Sequence, residues 1–112
     1  MVSLTKPLLD YYWKFRIERR AKQIARHIVP DLWGAARRKM GSASGSAKEL
    51  REYAETRAAQ LAQPLVDDFL RDNENAPTAQ GNRMILLAAS SAAALVTRMA
   101  AEAASRHGPA RR

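Results

Sequence analysis

Apolar residues recur at intervals of three and four along the first segment of the chain, and this spacing constrains the fold more than any other feature. The residues in the series are Leu9, Trp13, Ile17, Ala21, Ile24, Ile28 and Leu32. Because an α-helix completes a turn in about 3.6 residues, such a series lies on one face and predicts a helix that packs on a core. Alanine is abundant and no segment alternates apolar with polar residues, so the sequence predicts helix throughout the chain.

Proline, glycine and capping residues predict where the helices begin and end. We expect the first helix to start near Thr5 and to be interrupted at Pro30, because proline has no N–H and its ring clashes with the preceding turn. Ser46 and Glu49 fit a capping box at the start of a later helix. The predicted segments are a basic helix at 6–29, a short helix at 31–40, a flexible linker at 41–46, an acidic helix at 47–72, an Ala-rich helix at 79–106 and a basic tail at 107–112.

The two later helices complete the predicted bundle. The inward residues expected in the second helix are Leu50, Ala54, Ala58, Leu61, Leu65 and Phe69. Pro64 is expected to kink or restart that helix. The 13 residues from Met84 to Val96 are apolar almost all round but too few to span a bilayer, so we expect a buried central helix. We therefore predict one all-α domain, a small helical bundle of three main helices plus a short helix after Pro30.

The net charge of +8 is unevenly distributed along the chain. Residues 1–40 carry ten Lys or Arg and three Asp or Glu, a net charge of +7. Residues 41–80 carry a net charge of −3, and residues 81–112 carry +4. A chain polarised in this way can bind polyanions at one end, or it can pair its own ends with its acidic middle.

The face of the first helix opposite its apolar stripe carries aromatic residues followed by cations. Its residues are Leu8, Tyr12, Phe15, Arg19, Lys22 and Arg26, with Arg16 and Arg20 at its flanks. In one interpretation, Tyr12 and Phe15 pack on a second partner and the cations form a solvated face. In another, the cations neutralise nucleic-acid phosphates while Tyr rings or guanidinium planes stack on bases. A membrane surface is the third interpretation, because Tyr, Trp and cations suit the headgroup region.

Nucleic acid is the partner that we expect first. The predicted phosphate contacts are Arg16, Arg19, Arg20, Lys22, Arg26, Arg37, Arg38 and Lys39, and Tyr12 is the residue predicted to stack on a base. A helix-turn-helix at residues 21–40 is a further hypothesis, although Val29 and Pro30 stand where the turn generally prefers glycine. The alternative function is a helical subunit or adaptor of a protein assembly, a homodimer included. The predicted interface residues are Ala88, Ala92, Leu95 and Met99.

No catalytic, metal or nucleotide motif stands out in the sequence, and none is specific to a known family. His27 and His107 have no partner at the spacing of a metal site, and the absence of cysteine excludes disulfides and thiolate chemistry. The acidic cluster at residues 67–74 is more typical of a solvated face than of acid–base chemistry, and Ser90 has no nearby general base. We therefore expect a non-enzymatic protein without metal or cofactor. Because the N-terminus does not resemble a signal peptide, we expect the protein in the cytoplasm.

Overall fold

The structure is a computed structural model that describes residues 2–42, 47–73 and 79–107. Within those residues the chain forms three helices and no strand: α1 (Val2–Ser42), α2 (Ala47–Asp72) and α3 (Gln80–His107). The predicted all-α fold is therefore confirmed. Predictions that concern residues 43–46, 74–78 and 108–112, among them the Ser46 cap and most of the basic tail, lie outside the described residues.

The helices run up, down and up along the bundle. Near the start of α1, the Arg16 guanidinium lies over the ring of Phe69 at the end of α2. Near the end of α1, the Lys39 ammonium lies over the ring of Tyr53 in the first half of α2. An ion pair between Glu18 and Arg83 joins the early part of α1 to the start of α3. Hence α2 is antiparallel to α1, and α3 is parallel to it.

The molecule is elongated because α1 is much longer than its two partners. It contains 41 residues, whereas α2 contains 26 and α3 contains 28. At about 1.5 Å per residue, α1 spans roughly 62 Å, which accounts for most of the 70 Å long dimension of the chain. Trp13 is the first buried residue among the described side chains of α1. The described side chains before it, residues 8–12, are all exposed.

The interruption predicted at Pro30 is wrong, because α1 continues through it to Ser42. The predicted short helix at 31–40 is the last part of α1, and so are the first two residues of the predicted linker. Pro30 is exposed, so the carbonyl of Arg26 that lacks its N–H partner lies on a solvated face. Ile28 and Leu32 on either side are buried in the core and hold the helix continuous. α2 likewise runs through the exposed Pro64 without restarting.

The core is built from large side chains of α1 against alanine surfaces on the other helices. Six residues of the predicted stripe on α1 are buried, and the seventh, Leu9, is 51% exposed. Of the 21 buried apolar residues among those described, 12 are alanine. The buried residues of α2 are Ala54, Ala58, Ala62, Val66 and Phe69. Leu50, Leu61 and Leu65, which were predicted to face inward, are only partly buried against this cluster.

The last helix is less buried than its composition predicts. Met84, Ala88, Ala92 and Val96 are fully buried, yet Leu86 on the opposite side is 67% exposed. The expectation of a buried central helix is therefore wrong, since a three-helix bundle covers one side of each helix and leaves the other in solvent. By length and composition, the segment Gln80–Ser105 could cross a membrane, a property that it shares with core helices of soluble proteins.

Candidate nucleic-acid interface

A line of exposed cations follows the outer side of α1, opposite its buried residues. Arg19, Lys22, Arg26 and Arg37 form this line, which we call the outer stripe. At 100° per residue they lie opposite the buried series that includes Ile17. With a rise of about 1.5 Å per residue, the line from the first of these cations to the last is roughly 27 Å long.

The cations of the outer stripe have no acidic partner within the described part of the chain. The ion pairs described there join Arg51 to Glu55 and Arg71 to Asp68 within α2, and Glu18 to Arg83 between helices. None of them includes a cation of the outer stripe. The sequence left open whether cations of the first helix form ion pairs with acidic residues of the second. The described residues contain no such ion pair for the cations of the outer stripe.

Arg16 and Arg20, also predicted as phosphate contacts, lie at the flank of α1 that faces the end of α2. The Arg16 guanidinium carbon is 5.4 Å from the centroid of the Trp13 ring and 5.8 Å from that of Phe69. Its Nη1 donates a hydrogen bond of 3.2 Å to the hydroxyl of Tyr12. The Arg20 guanidinium carbon lies 5.9 Å from the same Phe69 ring. Aromatic rings thus hold both guanidinium groups in place.

Arg38 and Lys39 belong to the other end of the molecule. The Lys39 Nζ lies 5.6 Å from the centroid of the Tyr53 ring on α2. Arg38 lines a shallow cleft together with Arg57 and Leu61 of α2. The predicted set of cations therefore divides into three groups: the outer stripe, the flank near Phe69 and the distal end of α1.

Exposed apolar side chains surround α1 before the outer stripe begins. They are Leu8, Leu9, Tyr11, Tyr12 and Phe15. Tyr12, the predicted stacking residue, contacts the Trp13 ring edge-on at 5.4 Å between centroids. Phe15 is 57% exposed and lies within one turn of Arg19. An aromatic surface therefore adjoins the first cations of the outer stripe.

A cleft with a volume of about 360 Å³ lies between this part of α1 and the end of α2. We call it the arginine cleft. Its lining residues are Phe15, Arg16, Arg19, Arg20 and Gln23 of α1 with Phe69, Asp72 and Asn73. Asn73 ends α2 by donating hydrogen bonds from its backbone N and its Nδ2 to the carbonyl oxygen of Phe69. The sequence did not predict this cleft, because its two walls are about fifty residues apart and no local pattern links them.

The predicted protein interface on α3 needs correction. Ala88 and Ala92 are fully buried against the other two helices, so they cannot also contact a second copy in this fold. Met99 is partly buried, and Leu95 is 40% exposed. The helix-turn-helix hypothesis is also wrong, because residues 21–40 form one uninterrupted stretch of α1 without the turn that the motif requires.

The candidate residues for metal binding or acid–base chemistry lie on the surface where the structure describes them. No group of three or more His, Cys, Asp or Glu side chains that could hold a metal ion occurs among the residues that the structure describes. Asp68 of the acidic cluster pairs with Arg71, and His27 is exposed.

In comparisons with known proteins, no family model, no curated protein and no solved structure matches this chain.

Proposed function

We propose that the chain is a non-enzymatic protein that binds nucleic acid through the exposed basic face of α1. The observation that carries the proposal is the outer stripe: four cations on one face of one helix, with no acidic partner among the described residues. Cations that only solubilise a helix are commonly interspersed with acids on the same face. Here the acidic residues lie mostly on α2, where Asp72 lines the same cleft as Arg19.

Phosphate neutralisation explains what such a line of charge does. A polyanion releases condensed counterions when Lys and Arg side chains replace them, and this release drives association without sequence preference. The net charge of +8 adds a long-range attraction that speeds the encounter. Rigidity adds to the effect, because the stripe lies on a helix whose opposite face is anchored in the core.

A charge reversal tests the proposal directly. Fluorescence anisotropy is measured with labelled duplex and single-stranded DNA and RNA at about 50 and 200 mM salt. The variant Lys22→Glu/Arg26→Glu/Arg37→Glu should lose binding and keep its melting temperature, because these side chains are exposed. The control Lys48→Glu/Arg57→Glu/Arg98→Glu changes the net charge equally at exposed positions on α2 and α3. It should keep most of the affinity.

Salt dependence and a second ligand make the test decisive. Removal of one cation that binds a phosphate of duplex DNA should reduce the log–log slope of affinity against salt by roughly 0.9. Equal reductions of affinity in the two triple variants would mean that net charge, not the outer stripe, is responsible. If the protein binds vesicles of anionic phospholipid but no nucleic acid, the membrane alternative replaces the proposal.

An assembly subunit is the second candidate function, and the exposed face of α3 favours it. Leu86 and Leu95 are exposed there, as are Ser90, Ser91 and Ala94 between them. No charged residue occurs in the chain from Met84 to Thr97, a rise of roughly 20 Å along the helix. Such an uncharged surface suits contact with another protein, a second copy included.

A further inference from the structure

Two guanidinium groups share one aromatic ring in the arginine cleft. Arg16 lies over Phe69 at 5.8 Å and Arg20 lies over it at 5.9 Å, measured from the guanidinium carbon to the ring centroid. Phe69 is buried, so the ring is a fixed support for both groups. Each cation is attracted to the ring, but the two positive charges repel each other. An anion that enters the cleft between them removes this repulsion.

Both guanidinium groups retain unused hydrogen-bond donors. Arg16 donates to the hydroxyl of Tyr12, and Arg20 donates from Nη1 to Oε1 of Gln23 at 3.2 Å. These bonds use a small part of the donor capacity of a guanidinium group, whose planar fork matches the oxygens of a phosphate. Because the rings and these hydrogen bonds already orient the two groups, a phosphate would bind them at a reduced entropic cost.

An aromatic ring stands beside these donors. Phe15 lines the cleft and is more than half exposed, so a ligand in the cleft can reach this residue. The cleft volume of about 360 Å³ falls in the lower part of the range for small-ligand sites, roughly 300–1,000 Å³. A base that stacks on Phe15 therefore has room while its phosphate lies against the arginines.

We propose that the arginine cleft holds one unpaired nucleotide of a single strand, with its phosphate on Arg16 and Arg20 and its base on Phe15. This inference rests on the proposed function and specifies its substrate class. In a duplex the bases are stacked on each other and paired, so none is available to Phe15. The outer stripe binds the phosphates of either form, and the cleft adds a preference for the single strand.

Asp72 gives the cleft a property that can be tested in both directions. Its carboxylate lines the cleft that contains Arg16, Arg19 and Arg20. The negative charge opposes the entry of a phosphate, since like charges repel. The neutral variant Asp72→Asn should therefore strengthen binding of a single strand, whereas removal of the arginines should weaken it.

The experiment compares a labelled oligothymidine with a blunt duplex of two separate strands that has the same total number of phosphates. Fluorescence anisotropy is measured for the full chain and for four variants. Phe15→Ala should weaken binding of the single strand about tenfold, within the range that one base–aromatic stack accounts for, and leave binding of the duplex unchanged. Arg16→Gln/Arg20→Gln should abolish the preference for the single strand. Arg26→Gln/Arg37→Gln removes the same amount of charge at exposed positions outside the cleft. It should weaken binding of the two ligands equally.

The outcomes separate this inference from the proposed function. One outcome is that the wild type binds both ligands with equal affinity while each double variant weakens binding of the two ligands by the same factor. In that case the cleft binds no nucleotide, and the outer stripe alone binds the nucleic acid. If Asp72→Asn weakens binding of the single strand, the phosphate does not lie near the arginines, and the inference is refuted. If the wild type binds neither ligand, both the inference and the proposed function fail.

Discussion

Gly34 lies well inside α1, where it lines a cleft with Arg57 and Leu61 of α2. Its neighbours Ala35 and Ala36 are buried, while Gly34 itself is only partly buried. No described glycine has a positive φ, so alanine can adopt the backbone conformation of Gly34 without strain. A Cβ added at this position would have Nη1 of Arg38 at 3.8 Å as its nearest atom, which is an ordinary van der Waals contact.

The substitution Gly34→Ala should therefore stabilise the protein by about 0.8–1 kcal/mol, the difference in helix propensity between the two residues. The gain arises mainly in the unfolded chain, which loses less conformational entropy on folding when glycine is absent. For a domain of about 100 residues, this corresponds to a rise in melting temperature of roughly 4 °C. Circular dichroism of thermal unfolding measures the shift.

Gly81 is the matched control at the start of α3. A Cβ there would lie 3.0 Å from Cδ1 of Leu70 and 3.9 Å from Cγ1 of Val66, so Leu70 must move to admit it. Gly81→Ala should accordingly stabilise less than Gly34→Ala. If Gly34→Ala lowers the melting temperature, or if Gly81→Ala gains as much, the packing described around these two glycines is wrong.

Three further substitutions test the packing of α1 and α3. Pro30→Ala restores an N–H for the carbonyl of Arg26 and should raise the free energy of unfolding by up to about 3 kcal/mol; an unchanged urea midpoint would contradict the continuous α1. Ala92→Leu overpacks a fully buried position and should cost about 1–3 kcal/mol, whereas Ala94→Leu, two residues away and exposed, should leave stability unchanged. In sedimentation equilibrium, Ala94→Leu should alter the mass of the protein only if α3 joins two copies. A variant that differs from the wild type in mass but not in stability would favour the assembly function.

The spacing of apolar residues was sufficient to predict the helical class and the buried side of α1. Intervals of three and four identify which side chains share a face, and six of the seven predicted core residues of α1 are buried. The same spacing predicted that Arg19, Lys22 and Arg26 are exposed, and they are. A face is a local property of the helix, so the sequence alone determines it.

The continuity of α1 could not be predicted, because it results from a balance between a local and a tertiary effect. A proline inside a helix costs about 3 kcal/mol, which is the whole basis for expecting a break at Pro30. Burial of Ile28 and Leu32 contributes roughly 1.5–3 kcal/mol each, and both lie in one core only if the helix continues. Together these two burial contributions are at least as large as the cost of the proline, so the helix continues through Pro30.

The sequence by itself thus determined the all-helical class, the buried side of α1 and the line of cations along it. Tertiary structure alone decided which sides of α3 are covered, so that Ala88 and Ala92 fill the core and Leu86 meets solvent. It also decided that Arg16 and Arg20 meet Phe69 and not solvent alone. The physical reason is that helical periodicity specifies the relative directions of side chains on one helix. What each direction meets depends on where the other helices pack, and residues distant in sequence form the arginine cleft for that reason.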